Sequence, residues 1–165
     1  MKKLTTKKLA TAGVIAGLYS VISLITFPIA SGAVQIRLSE ALCLLPLFFI
    51  EAVPALFIGC ALSNLITGCA LFDIVLGSLI TLISAIMTYV MGRTIKLTPI
   101  KLILGGVFPV VFNALGLPLI WVLCYGAIEY LYHVQAIILF IGQAISIYGL
   151  GIPLYFSIKK AKSKN

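Results

Sequence analysis

The sequence predicts an all-α membrane protein, a compact bundle of six transmembrane helices with the second and third short. Three observations carry this. Apolar residues make up 62% of the chain and the mean hydropathy is +1.21, where a soluble domain is roughly half apolar. Charge is scarce, with 12 Lys and Arg and 4 Asp and Glu in 165 residues. Eleven of the 12 basic residues fall in three clusters: Lys2, Lys3, Lys7 and Lys8; then Arg93, Lys96 and Lys101; then Lys159, Lys160, Lys162 and Lys164. Long apolar stretches separate them. Basic loops gathered on one side are what orients a polytopic protein in a bilayer. The net charge of +8 therefore reads as orientation and attraction to anionic lipid, not as a nucleic-acid surface.

The spans follow in order within one integral membrane domain, 1–165. A helix needs about 20 residues to cross ~30 Å of hydrocarbon. Residues 9–27 meet that length and form an apolar run longer than the core of a signal peptide, so they read as a retained first span. Residues 74–92, 102–125 and 134–157 also qualify. The stretch 39–67 is ambiguous because Glu51 sits in its middle. As one span it would place the N- and C-terminal lysines on opposite sides. As two, 39–50 and 53–67, it places all three basic clusters in the cytoplasm, together with both termini. Glu51 then lies in a tight cytoplasmic turn before Pro54. Two helices of about 14 residues are only roughly 21 Å long. They must tilt inside the bundle or thin the membrane. Short spans broken by proline, here Pro46 and Pro54, are also where transporters expose backbone to a cavity. This topology puts Arg37, Glu40, Asp73, Glu129 and His133 near the outer face.

The first span carries Ala12, Gly13, Ala16 and Gly17, two small-x-x-x-small pairs. Small residues four apart make a smooth groove for another helix. The groove serves either packing inside the bundle or docking to a separate membrane subunit.

Catalytic and cofactor motifs are absent. No G-x-x-x-x-G-K-[ST] occurs, so the chain does not bind and hydrolyse ATP by itself in the usual way. There is no H-E-x-x-H, no G-x-S-x-G, and His133 is the sole histidine. Cys43, Cys60, Cys69 and Cys124 form no C-x-x-C and read as small apolar filler, with neither a metal site nor a cofactor indicated.

The polar residues suit binding. Gln35, Arg37, Ser39 and Glu40 crowd the start of the second span. One reading makes Ser39 a helix cap, with Glu40 at the positive helix end and paired with Arg37. The other makes Glu40 a ligand-binding acid at a cavity mouth. Asn113 lies about 17 Å into the fifth helix, with Gln143 at similar depth in the sixth and Asn64 near the outer end of the third. Such amides either join helices, at about 0.6 kcal/mol each, or line a polar pocket. Trp121, Tyr125 and Tyr130 are either interfacial anchors or, in the case of Trp121, a platform for a flat ring.

The segment Val34-Gln-Ile-Arg-Leu-Ser-Glu-Ala-Leu-Cys-Leu-Leu-Pro46, with the small residues of the first span, resembles the queuosine-precursor transporter (QueT) family. That family is one of the substrate-binding S components of energy-coupling-factor transporters. The resemblance implies a six-helix protein of the bacterial cell membrane that binds a deazaguanine such as 7-aminomethyl-7-deazaguanine. Its implied partners are a transmembrane coupling subunit and two cytoplasmic ATPases. Glu40, Arg37, Asn113, Trp121, Gln143 and Asn64 then become substrate-binding residues, and Ala12, Ala16, Gly13 and Gly17 the docking face. An S component for another vitamin-like molecule, or a self-sufficient ion-coupled carrier, are the competing classes. A buried proton-relay pair, which would favour the carrier, is not evident.

Overall fold

The computed structural model describes residues 6–30, 36–126 and 131–164, with Ala30 and Lys164 described by backbone only. Lys2, Lys3, Gln35, Glu129 and Tyr130 lie outside the described residues. All regular structure among the described residues is helical. Four helices are long and apolar enough to cross a membrane: helix 1 (Thr6–Ile25), helix 4 (Asp73–Thr94), helix 5 (Thr98–Tyr125) and helix 6 (Tyr132–Ser163). Helix 2 (Leu38–Leu47) and helix 3 (Ala52–Ile66) are apolar but shorter. The expectation of six spans is thus met in length by four. A further helical turn, Phe27–Ala30, follows helix 1.

Helix 2 departs most from expectation. It is a 3-10 helix of 10 residues, not an α-helix over 39–50. At about 2.0 Å per residue it still extends roughly 20 Å. Pro46 inside it has no N–H to give, which suits the end of a tightly wound segment. Every residue from Ser39 to Leu47 is buried, so this helix runs through the centre of the bundle with neighbours on all sides. Three residues per turn also bring Glu40 and Cys43 into line. Arg37, not Ser39, occupies the cap position, and no side chain caps the helix.

The long helices surround helix 2 and present apolar residues outward. Leu9, Val14 and Ile25 of helix 1 are 65%, 61% and 74% exposed, as expected of a surface solvated by lipid chains rather than water. The opposite face of helix 1 (Ile15, Ala16, Tyr19, Ser20) is buried. It meets helix 3 so closely that a Cβ on Gly59 would come within 2.9 Å of the Tyr19 Cβ and 3.0 Å of the Ala16 carbonyl oxygen. The approach brings the Ser20 hydroxyl within 3.2 Å of the Gly59 carbonyl, to which it donates.

The charges sort by end of the bundle. Lys8 Nζ lies 3.4 Å from Glu51 Oε1, in the turn between helices 2 and 3. Lys162 Nζ sits 4.2 Å from the Phe49 ring centroid and 5.5 Å from that of Phe48. Lys159 Nζ reaches Thr98 Oγ1 at 3.4 Å. These contacts gather the start of helix 1, the 2–3 turn, the start of helix 5 and the end of helix 6 at one pole, as the lysine pattern predicts. The other pole holds the start of helix 4 and the end of helix 5. Three short stretches of the long helices widen to π geometry: Asp73–Gly77, Trp121–Tyr125 and Ile145–Leu150. Gly126, at φ 67°, ends helix 5 in the left-handed conformation that glycine adopts without a Cβ clash.

Candidate functional site

Two polar layers lie between the helices. The inner one is closed. Glu40 is 1% exposed, and both of its carboxylate oxygens are occupied. The Tyr19 hydroxyl donates to Oε1 at 2.6 Å. The Cys43 thiol and Asn113 Nδ2 donate to Oε2 at 3.1 and 3.2 Å. Asn113 Nδ2 also approaches Gln143 Oε1 at 3.4 Å. Helices 1, 2, 5 and 6 each contribute to this cluster. A buried carboxylate is tolerated only when donors compensate it, and here three neutral donors reach it, one on Oε1 and two on Oε2. One group is unsatisfied: Gln143 Nε2 is buried with no hydrogen-bond partner. Such a stranded donor costs about 1–3 kcal/mol.

The outer layer is open. A cavity of about 280 Å³ lies at the pole opposite the lysines, lined by residues that include Tyr19, Arg37, Ser39, Asn64, Asp73 and Trp121. Its size is at the small end of ligand pockets, which begin near ~300 Å³. Tyr19 and Ser39 belong to both layers in different ways: Tyr19 lines the cavity and bonds Glu40, while Ser39 lines it from the residue before Glu40. Ser39 also accepts a hydrogen bond from Ser23, at 2.7 Å. On the far wall, Trp121 Nε1 donates to Asp73 Oδ1 at 2.8 Å and the Tyr125 hydroxyl donates to Oδ2 at 3.2 Å. Asn64 Nδ2 donates to the Asp73 backbone carbonyl at 3.2 Å.

The structure sorts the residues singled out from sequence. It brings Glu40, Asn113 and Gln143 together in the closed layer. It places Arg37, Asn64 and Trp121 in the open one. Arg37 and Glu40 do not form the ion pair that one reading allowed; among the described residues the only ion pair is Lys8–Glu51. Trp121 and Asn113, although eight residues apart on helix 5, serve different layers. Tyr19 and Asp73 were missed as site residues. Asp73 carried a faint signal, as an acid at an outer helix end; Tyr19 carried none beyond sharing a face with Ala16.

The four small residues of helix 1 also divide. Ala16 is buried against helix 3, and Ala12 is half-buried against the same core. Gly13 and Gly17 face outward, with nothing within 4 Å of an added Cβ.

The comparisons with known proteins give one match. A family model described as the QueT transporter matches residues 9–160, most of the chain. No curated protein and no solved structure matches. By that match the chain belongs to the QueT transporter family. Together with four helices of span length, it is a multi-pass membrane protein with a transport role.

Proposed function

We propose that this member of the QueT transporter family is the substrate-binding S component of an energy-coupling-factor transporter, capturing a queuosine precursor outside a bacterial cell. The observation that carries this is the cavity floored by Tyr19 and Ser39, with the Glu40–Asn113–Gln143 cluster beneath. A 7-deazaguanine offers ring N–H and exocyclic NH₂ donors along one edge. Glu40 accepts them as charge-assisted hydrogen bonds once the Tyr19 hydroxyl swings away. The unpartnered Gln143 amide donates to an acceptor of the ring, and Asn113 joins the two. Trp121 offers a face for stacking, and Arg37 and Asn64 line the walls.

Uptake then needs energy from outside this chain, which has no phosphate-binding loop. A transmembrane coupling subunit and two cytoplasmic ATPases supply it. The outward face of helix 1 at Gly13 and Gly17 allows the close backbone approach that docking to the coupling subunit requires. Both termini lie in the cytoplasm, with the cavity pole outside.

Native mass spectrometry of the protein purified from its own membrane tests the reading. The expected result is a bound deazaguanine and co-purifying coupling and ATPase subunits. A chain that carries neither, and that transports alone in proteoliposomes under an ion gradient, overturns it.

A further inference from the structure

We infer that Asp73, not Glu40, holds the cationic substituent of the ligand, and that Arg37 faces the ligand's acceptors from the same cavity. The inference rests on the deazaguanine reading above and divides the work of its two acids.

The argument starts from what each carboxylate still has to offer. Glu40 does not line the cavity, is almost wholly buried, and already accepts from Tyr19, Cys43 and Asn113. An ammonium in the cavity meets Asp73 directly, whereas Glu40 stays covered until Tyr19 moves. Asp73 lines the cavity and is half-buried. Each of its oxygens takes one hydrogen bond, from Trp121 and from Tyr125. Both donors are neutral, so they orient the carboxylate and leave its charge uncompensated. Each oxygen also keeps a free lone pair.

The second observation is the charge arrangement. Arg37 lines the same cavity. Yet among the described residues the only ion pair is Lys8–Glu51, so Arg37 and Asp73 stand more than 4 Å apart. Opposite charges that line one small cavity without pairing match a molecule that is itself polarised: an amine at one end, carbonyl and ring-nitrogen acceptors at the other. Trp121 reinforces the assignment. Its N–H fixes Asp73 while its ring lines the cavity, where an ammonium is attracted to an aromatic face. The start of helix 4 and the end of helix 5 both widen to π geometry where these two residues meet, a local change common at functional sites. The ligand class is a small planar heterocycle with a guanine-like edge and a protonated aminomethyl arm. The edge goes down toward Glu40 and the arm stays up at Asp73.

Calorimetry on the full chain in nanodiscs tests this with two probes, 7-aminomethyl-7-deazaguanine and 7-methyl-7-deazaguanine, which lacks the charge. Asp73→Asn is expected to weaken the aminomethyl compound about tenfold, the usual effect of exchanging a charge-assisted bond for a neutral one. It should weaken the methyl compound less than about threefold, which also shows that the variant is folded. Asp73→Glu keeps the charge and should keep the preference for the cation. Equal losses for both probes in Asp73→Asn, or no loss for either, overturn the inference. So does a preference lost in Asp73→Glu as fully as in Asp73→Asn. If the unaltered chain binds neither probe, the deazaguanine reading falls, and this inference with it.

Discussion

The two polar layers use the same chemistry in opposite ways. Each centres on one carboxylate held by neutral donors, Glu40 by Tyr19, Cys43 and Asn113, and Asp73 by Trp121 and Tyr125. Glu40 is enclosed by helices 1, 2, 5 and 6, where water cannot replace a lost partner. Asp73 borders a cavity, where water can. The difference teaches that number of hydrogen bonds is a poor guide to a group's role. Accessibility decides whether such a group meets a ligand directly, as Asp73 does, or only after a covering side chain moves, as Glu40 does when Tyr19 swings away. The same contrast runs through helix 1, where Ala16 faces inward and Gly17, one residue on, faces out.

The largest expected effect breaks the comparison on stability. Glu40→Ala removes the acceptor that the Tyr19 hydroxyl, the Cys43 thiol and the Asn113 amide share in a buried layer, at about 1–3 kcal/mol. Asp73→Ala exposes its donors to cavity water and should cost less than about 1 kcal/mol. Reversible unfolding of both variants in mixed micelles measures the gap. Equal destabilisation would mean that the two layers are not distinct.

Ligand affinity gives the next effect. Glu40→Gln keeps an acceptor and removes the charge. A hydrogen bond to a charged group contributes roughly 1.5–3 kcal/mol against about 1 for a neutral one. The affinity should fall of order tenfold, at 1.4 kcal/mol per decade. Because Glu40 reads the ring edge, the aminomethyl and methyl compounds should suffer alike in calorimetry. A loss confined to the aminomethyl compound would move the ammonium to the inner layer.

The smallest effect on the isolated chain belongs to the outward face of helix 1. Gly13→Leu with Gly17→Leu should change ligand affinity less than about twofold, since neither position touches another element. Uptake by cells that hold the partner subunits should nevertheless fall, because bulky side chains hold helix backbones apart. Ala16→Leu should instead destabilise the chain by about 1–3 kcal/mol, through overpacking where helix 1 meets helix 3. Unimpaired uptake in the double glycine variant would remove that face as a docking surface.

Much of this was legible in the sequence, and the reason differs by feature. The apolar runs located the start of every long helix to within about four residues, because hydrocarbon thickness imposes a length that composition alone reveals. The lysine clusters placed Lys8, Lys159 and Lys162 at one pole, because charge cannot cross the bilayer cheaply. Glu51 was readable as a turn for the same reason, and Lys8 supplies its partner. Asn113 and Gln143 were readable as mid-helix polar groups that need partners. Their common partner was not, since Glu40 lies 73 residues from Asn113.

The sequence by itself determined the class of the protein, the order of its apolar helices, the separation of its charges and the short list of polar groups inside them. These follow from hydropathy and charge, which act residue by residue. Only the tertiary structure decided which face of helix 1 is internal and that helix 2 winds as a central 3-10 helix. It alone decided that Glu40 is sealed by Tyr19 while Asp73 lines a cavity. Those outcomes depend on how closely neighbouring backbones approach, as Gly59 lets helix 1 approach helix 3, and on which helices share a layer. In lipid the apolar contrast that orients a helix in water is nearly absent. Packing of small residues and pairing of buried polar groups therefore set the rotation of each helix, and both are properties of the assembled bundle.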